Sequence, residues 1–345
     1  MGSAGNVPSL PVPRGPLSHA LLDALVRDPH ALRAPPVPAP EDPLADEDLQ
    51  LALYLCYELH YRGLPGVPDE WEWEPSLIAF RRRLEARFEA GLLEVLGAPA
   101  GEVPPEDMDI ALRAIEAADE APSLSKHLER EGTLAQVLEF VVHRSAYQLK
   151  EADPHSWALP RLTGQPKAAM VEIQADEYGG GVAERIHAQL FAKTMDRLGL
   201  DSTYGAYLEA IPGCTLATVN LMSLLGLHRR WRGALVGHLA LFEMSSSVPN
   251  RRYGNALRRL GADEAATDFF DEHVTADAVH EAIAAVDLAG GLARQDPALG
   301  ADVLWGARAL VELDGRWARR LLEAWEAGRS SLLAPLDAPA SLALG

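Results

Sequence analysis

From Asp46 to about residue 327 apolar side chains recur every three or four positions almost without a break, and this pattern restricts the chain to packed helices. DEDLQLALYLCYELHYRG carries acids in its first turn and stops at Gly63; PSLIAFRRRLEARFEAGLLEVLG has the same period and stops at Gly97. Further helices are expected at 106–118, 133–150, 166–198, 214–246, 264–290 and 298–327. Strict alternation of β-branched residues is scarce, so no strands are expected, and no fixed-period repeat is present. The fold class is all-α, and helices of about 20–30 residues imply a bundle.

Proline sets the other boundary. Ten of the 25 prolines lie in the first 43 residues, where each removes a donor and fixes φ. Residues 1–44 therefore read as a mobile or loosely packed arm with one short helix at Leu17–Val26. Residues 45–120 read as an N-terminal helical extension, 121–330 as the main bundle and 331–345 as a tail; the boundary near 120 is soft, because the extension can pack on the bundle. The stretch RGLPGVPDEWEWEP at 62–75 reads as a loop pinned by Trp71 and Trp73.

Charge and composition exclude several functions. With 31 Lys and Arg against 50 Asp and Glu, the net charge of −19 repels phosphate backbones, so no nucleic-acid partner is expected. No apolar run reaches the roughly 18 residues of a membrane span, and MGSAGNVPSLPVPRG lacks a secretory pattern, so a cytoplasmic protein is expected. Cys56 and Cys214 are too few for a disulfide framework or a cysteine metal site. Gly179–Gly181 have neither a preceding strand nor a following G-K-[ST], which rejects a nucleotide loop. Arg229, Arg230, Arg232, Arg251 and Arg252 read as ion-pair partners of the abundant acids, with substrate-carboxylate binding as the alternative.

Chemistry concentrates in FFDEHVTADAVHEAIAAVD. His273, Asp277 and His280 fall at about 0°, 40° and −20° around a helix, one narrow stripe beside apolar residues such as Phe269. Two imidazoles and a carboxylate on a buried stripe need compensation, and a borderline metal supplies it. Glu243, directly after LALF, is an acid in an apolar stretch, and VEIQADEYGGGVAERIHAQLFAKTM offers Glu172, Glu177, Glu184 and His187. His60, His228 and His238 read as packing or hydrogen-bonding residues; His238 lies about 140° from Glu243 on a regular helix.

The H-x3-D-x2-H run, with Glu243 and the Glu177/His187 pair upstream, resembles the haem-oxygenase-like di-iron oxidases, as do DEYGGG, GLHRRWRGALVGHLALFEMSSS and DEHVTADAVHEAIA. The resemblance covers about 120–330 and is to actinobacterial members described as iron-containing redox enzymes. It implies a haem-oxygenase-like bundle without haem, holding two Fe(II)/Fe(III) ions through Glu177, His187, Glu243, His273, Asp277 and His280. Family spacing favours Glu177, whereas a regular helix favours Glu184, because Glu177 and His187 are ten residues, about 15 Å, apart; the intervening glycines permit a bend. Some relatives recruit one more carboxylate, for which Glu151 and Glu172 are the candidates.

The resemblance further implies an O2-dependent oxygenase that takes electrons from an external donor and acts on a small-molecule amine or amino acid in natural-product biosynthesis. N-oxygenation of an amine to a nitro or nitroso product is the expected reaction; C–C cleavage or desaturation of an amino or fatty acid is the alternative. A non-catalytic metal-binding helical protein is the reading from another class, and a zinc hydrolase ranks below it. Homodimerisation stays open.

Overall fold

The computed structural model describes residues 10–336, apart from the side chains of 277–279. All regular elements among the described residues are helical. In chain order they are α1 (Pro16–Leu25), α2 (Glu47–Glu58), α3 (Pro75–Leu96), α4 (Met108–Ala117), α5 (Leu124–Arg130), α6 (Leu134–Gln148), α7 (Asp153–Ser156), α8 (Gly164–Glu177), α9 (His187–Arg197), α10 (Gly213–Leu227), α11 (Arg232–Arg259), α12 (Glu264–Ala282), α13 (Gly290–Gln295) and α14 (Gly300–Glu326). No helix among the described residues is long and apolar enough to cross a membrane.

The centre of the bundle is α10. Its sequence, GCTLATVNLMSLLGL, is apolar on every side and buried along nearly its whole length, as a helix surrounded by others must be. α2, α11 and α14 pack against it. Asn220 reaches from α10 to α2, its side-chain NH2 donating to the Gln50 carbonyl at 2.9 Å and to Gln50 Oε1 at 2.8 Å, so the donors of a buried amide are met by the helix that covers it. α3 buries a single stripe, Leu77, Phe80, Leu84, Phe88 and Leu92. One continuous apolar core runs from α1 through α14, joining the extension and the bundle across the soft boundary near 120.

The proline-rich segment is tied down where it is described. Asp48 of α2 accepts hydrogen bonds from the Leu17 and Ser18 amides, both at 2.8 Å, and so neutralises the positive end of α1. Leu17, Leu21, Leu22 and Leu25 are buried, each stabilising by about 1.5–3 kcal/mol. Arg14 donates to Glu47 and to the carbonyls of Leu208 and Ile211. Trp71, fully buried, donates to the Arg27 carbonyl at 2.9 Å, whereas Trp73 is exposed against His60. Ser331 of the tail hydrogen-bonds both His143 and Glu139.

Two of the long helices expected from the sequence are broken. The 214–246 stretch divides at His228, whose extended backbone ends α10 before a 3-10 turn starts α11. Gly226 lies two residues before that break, and the polar run His228, Arg229 and Arg230 interrupts the apolar pattern there. The 166–198 stretch ends as α8 at Glu177 and restarts as α9 at His187. Gly179, Gly180 and Gly181 all have positive φ there (68°, 61° and 84°), a region that side chains with a Cβ rarely enter. After α12 the helix widens to a π-helical stretch at Ile283–Ala289, directly beyond His280.

α11 and α14 approach through a pair of glycines. A Cβ on Gly237 would lie 1.8 Å from the Val303 carbonyl oxygen, and one on Gly306 would lie 1.9 Å from that of Ala234. The two backbones touch at this crossing, which fixes where α11 carries Glu243 and where α14 carries Asp314.

Candidate metal centre

Five segments converge on one buried pocket: the turn after α6, the end of α8, the start of α9, the middle of α11 and the second half of α12. The triple-glycine turn reverses the chain so that Glu177 and His187 meet, with Oε2 and Nδ1 3.0 Å apart and both residues buried. Of the two acids left open by the sequence, Glu177 lies in the pocket, whereas Glu184 is exposed on the turn; Glu172 is likewise exposed and Glu151 buried. Glu151 precedes Ala152, whose φ of 73° is unusual for a residue with a Cβ and marks strain beside the pocket.

The donor atoms form two groups that share one residue. Glu151, Glu177, His187 and His273 bring ligand atoms within 4.8 Å of one another, and so do Glu177, Glu243 and His280. His273 Nδ1 donates to the Phe269 carbonyl at 2.7 Å, which fixes the tautomer and leaves Nε2, 3.6 Å from Glu151 Oε1, as the ring's lone pair. His280 is held on both nitrogens, by Glu243 at 3.1 Å and by Asp176 at 3.0 Å. Asp277 lies on the same helix between them, but its side chain is outside the described residues.

Electrostatics follows from this arrangement. Burial works against a charged His280, yet the hydrogen bond and charge of Glu243, with Asp176 behind, overcome it and raise the pKa to about 9. Burial pushes Glu177 up, but the imidazole of His187 against its carboxylate outweighs it and holds the carboxyl below its ordinary range. Burial and the carboxylates of Glu151, Glu177 and Glu243 drive the Tyr147 phenol far up.

The residues fit a metal. Three buried carboxylates facing one another carry a charge that burial makes costly unless cations balance it. Glu177 Oε2 and His187 Nδ1 approach closely without the alignment of a hydrogen bond, and Glu151 Oε2 is buried with no hydrogen-bond partner. Atoms that crowd without bonding each other are placed for a third body between them. The hollow bounded by Glu151, Glu177, Glu243 and His273 holds about 10 Å³, on the order of a single water. Oxygen and imidazole donors together suit iron, manganese or zinc.

Three neighbours in the pocket escape sequence reasoning. Asp176 lies on the outer side of α8, with 61% of its side chain exposed. Tyr147, on the last turn of α6, lines the hollow. His155 also lines it; burial lowers its pKa to about 4, and its Nε2 pairs with His238 Nδ1 at 3.1 Å. Ala152's left-handed backbone, which turns the chain from Glu151 to His155, has no sequence signature. His60 and His228 pair with Glu72 and Glu85, outside the two groups. Arg230 and Arg232 pair with Glu89 and Asp296, and Cys56 and Cys214 are buried free thiols.

Residues 138–315, just over half of the chain, match a family described as iron-containing redox enzymes, and the chain belongs to that family. Its fold is the all-helical, haem-oxygenase-like one, and its class is that of an oxidoreductase. Among relatives, the nitrosourea synthase of Streptomyces achromogenes subsp. streptozoticus is 30% identical over 132 residues, which cover 38% of this chain and 28% of the relative. The match thus spans less than a third of that enzyme's length.

Proposed function

We propose that this chain is an O2-dependent non-haem di-iron oxygenase acting on a small molecule, and that its reaction is N-oxygenation of an amine. The observation that carries the di-iron reading is the sharing of Glu177 between two buried donor groups. A carboxylate has two oxygens, so one residue can serve both groups. In this reading Glu151, His187 and His273 complete one group, Glu243 and His280 the other, and Asp277 joins the set from α12. Iron, when bound, supplies the redox equivalents and Lewis acidity for O2 activation, with further electrons from an external reductant.

The chain's own residues set the conditions. His273, locked by the Phe269 carbonyl, presents one nitrogen in a fixed orientation. Phe191, Phe269 and the His187 and His273 rings pack at 4.3–5.0 Å, Phe191 edge-on to Phe269 and the other pairs tilted, and shield that side from water. Tyr147 stays a neutral phenol beside the three carboxylates, so it can donate a hydrogen bond but carries no charge. The relative's name, nitrosourea synthase, favours oxidation at nitrogen over C–C cleavage or desaturation.

The test is oxygen uptake by the Fe(II)-loaded protein with a panel of amines and amino acids under 18O2. The expected result is amine-dependent uptake and a product with 18O on nitrogen. Uptake with loss of carbon or of two hydrogens would move the assignment to cleavage or desaturation. No uptake with any compound would leave a metal-binding protein without oxygenase activity.

A further inference from the structure

A second hollow opens beside the metal centre and reaches it at Glu151 and His273. It holds about 210 Å³, more than ten times the roughly 10–15 Å³ that one water occupies on the same measure. Its walls come from α6, α11, α12 and α14, and Glu116 and Asp119 stand at its rim. Three polar side chains in it lack the partners their chemistry calls for.

Arg144 stacks on Trp317 at 4.7 Å, and no carboxylate of the described residues comes within ion-pair distance of its guanidinium. Asp314 lines the same hollow from α14, has no ion pair and is pushed above the ordinary carboxylate range by burial, with Arg144 acting only as a partial counterweight. It is deep in the protein yet still touches open space, because that space is the hollow. Gln148 is buried, and its Oε1 accepts no hydrogen bond. A buried carbonyl without a donor costs stability, and a cation and an acid face the same cavity without an ion pair.

The order of these residues is informative. Arg144, Gln148 and Glu151 succeed one another at i, i+4 and i+7 along α6 and its C-terminal turn. They make one stripe about 10 Å long that leads from the Arg144–Asp314 end to the metal centre.

We propose that this hollow is the substrate site and that it takes a free α-amino acid with a hydrogen-bond donor in its side chain. The carboxylate pairs with Arg144, whose planar fork matches it. The α-ammonium pairs with Asp314, and the side-chain donor reaches Gln148 Oε1 next to Glu151 and His273. The acidic rim draws in the cationic group and gives no help to a plain carboxylic acid. The proposal rests on the oxygenase reading for the chemistry done on the bound molecule, but the recognition itself needs no iron.

The test is calorimetric titration of the full chain under nitrogen, metal-free and Fe(II)-loaded in parallel, with the twenty common amino acids. A matched set is then compared: L-lysine, cadaverine (no carboxylate), 6-aminohexanoate (no α-amine) and L-norleucine (no side-chain donor). At least one amino acid should bind, and in the matched set removal of either head group should weaken binding by tenfold or more. For the amino acid that binds best, Arg144→Met should cost about thirtyfold, Arg144→Lys less, Asp314→Asn about tenfold and Gln148→Leu several-fold. Melting temperatures and iron content check that each variant is folded. Binding of none of the twenty, or binding indifferent to Arg144 and Asp314 in folded variants, would overturn the proposal. Iron stoichiometry is read separately, so failure of the di-iron reading leaves a positive binding result standing, and the reverse also holds.

Discussion

The two donor groups that meet at Glu177 are built on different principles. In the group of Glu151, Glu177, His187 and His273, atoms crowd without bonding one another, and His273 already has its tautomer set by a backbone carbonyl. In the group of Glu177, Glu243 and His280, the imidazole is clamped between two acids and carries a proton on each nitrogen up to about pH 9. Both groups hold an imidazole whose proton is favoured by a facing carboxylate, His187 in the first and His280 in the second, but only His280 is clamped on both nitrogens. Among the described side chains, a metal at the second group must displace a proton that the protein holds firmly, so the first group should load more tightly.

The largest effect is expected from removing what the groups share. Glu177→Ala should reduce iron binding at both, taking stoichiometry from two per chain toward zero and oxygen uptake down by more than about a hundredfold. His280→Ala should remove one iron and leave the tighter one, whereas His187→Ala should weaken the tighter one. Iron analysis after desalting distinguishes these outcomes; loss of both irons in His280→Ala would show that the groups are not separable.

Next comes pH. The His280 pKa is raised above that of a free imidazole, so the ring is charged below about 9 and must lose a proton to bind metal. Affinity at the second group should therefore rise with pH, by about tenfold per unit between 6.5 and 9, and level off above. His187 is shifted in the same direction, since Glu177 overcomes the effect of its burial, so the first group shares the trend. Titrations at pH 6.5, 7.5 and 8.5 check the slopes; a flat second step would contradict the clamp. Without metal the same shift means that His280 contributes stability below about pH 6.5, lost as pH rises through 9.

Smaller effects bear on the geometry. Gly179→Ala places a Cβ 2.6 Å from the Arg185 carbonyl carbon at a φ of 68° and should cost about 1–3 kcal/mol, read as a lower Tm. It should loosen the first group by moving His187 away from Glu177 and disturb His280 less. Asp176→Asn leaves Glu243 in place and removes the outer, mostly exposed half of the clamp. Second-step affinity at pH 7 should then rise only a few-fold, because a solvated carboxylate is screened.

Much of the fold and the site is legible in the sequence because it comes from periodicity and from glycine. The stripe of His273 and His280 and the acid set in LALFEM can be argued from spacing, whereas Glu177 as the partner of His187 rests on the family resemblance, the glycines only permitting the bend and a regular helix favouring Glu184. The break at His228 is less legible, because Gly226 and the polar run at 228–230 mark it only weakly between two long apolar stretches. Asp176 is hidden for another reason. It is adjacent to Glu177, so a regular helix turns it about 100° away, and only the position of α12 brings His280 within its reach. Tyr147, His155 and the Arg144–Asp314 hollow depend on which helices become neighbours, which no local pattern records.

That two irons of unequal affinity share Glu177 is tested most directly by anaerobic titration with 57Fe(II), read by calorimetry and Mössbauer spectroscopy. The expected result is two irons per chain in two resolved steps, with the second step absent in His280→Ala and both absent in Glu177→Ala. A single iron per chain, or two steps that survive loss of Glu177, would contradict it.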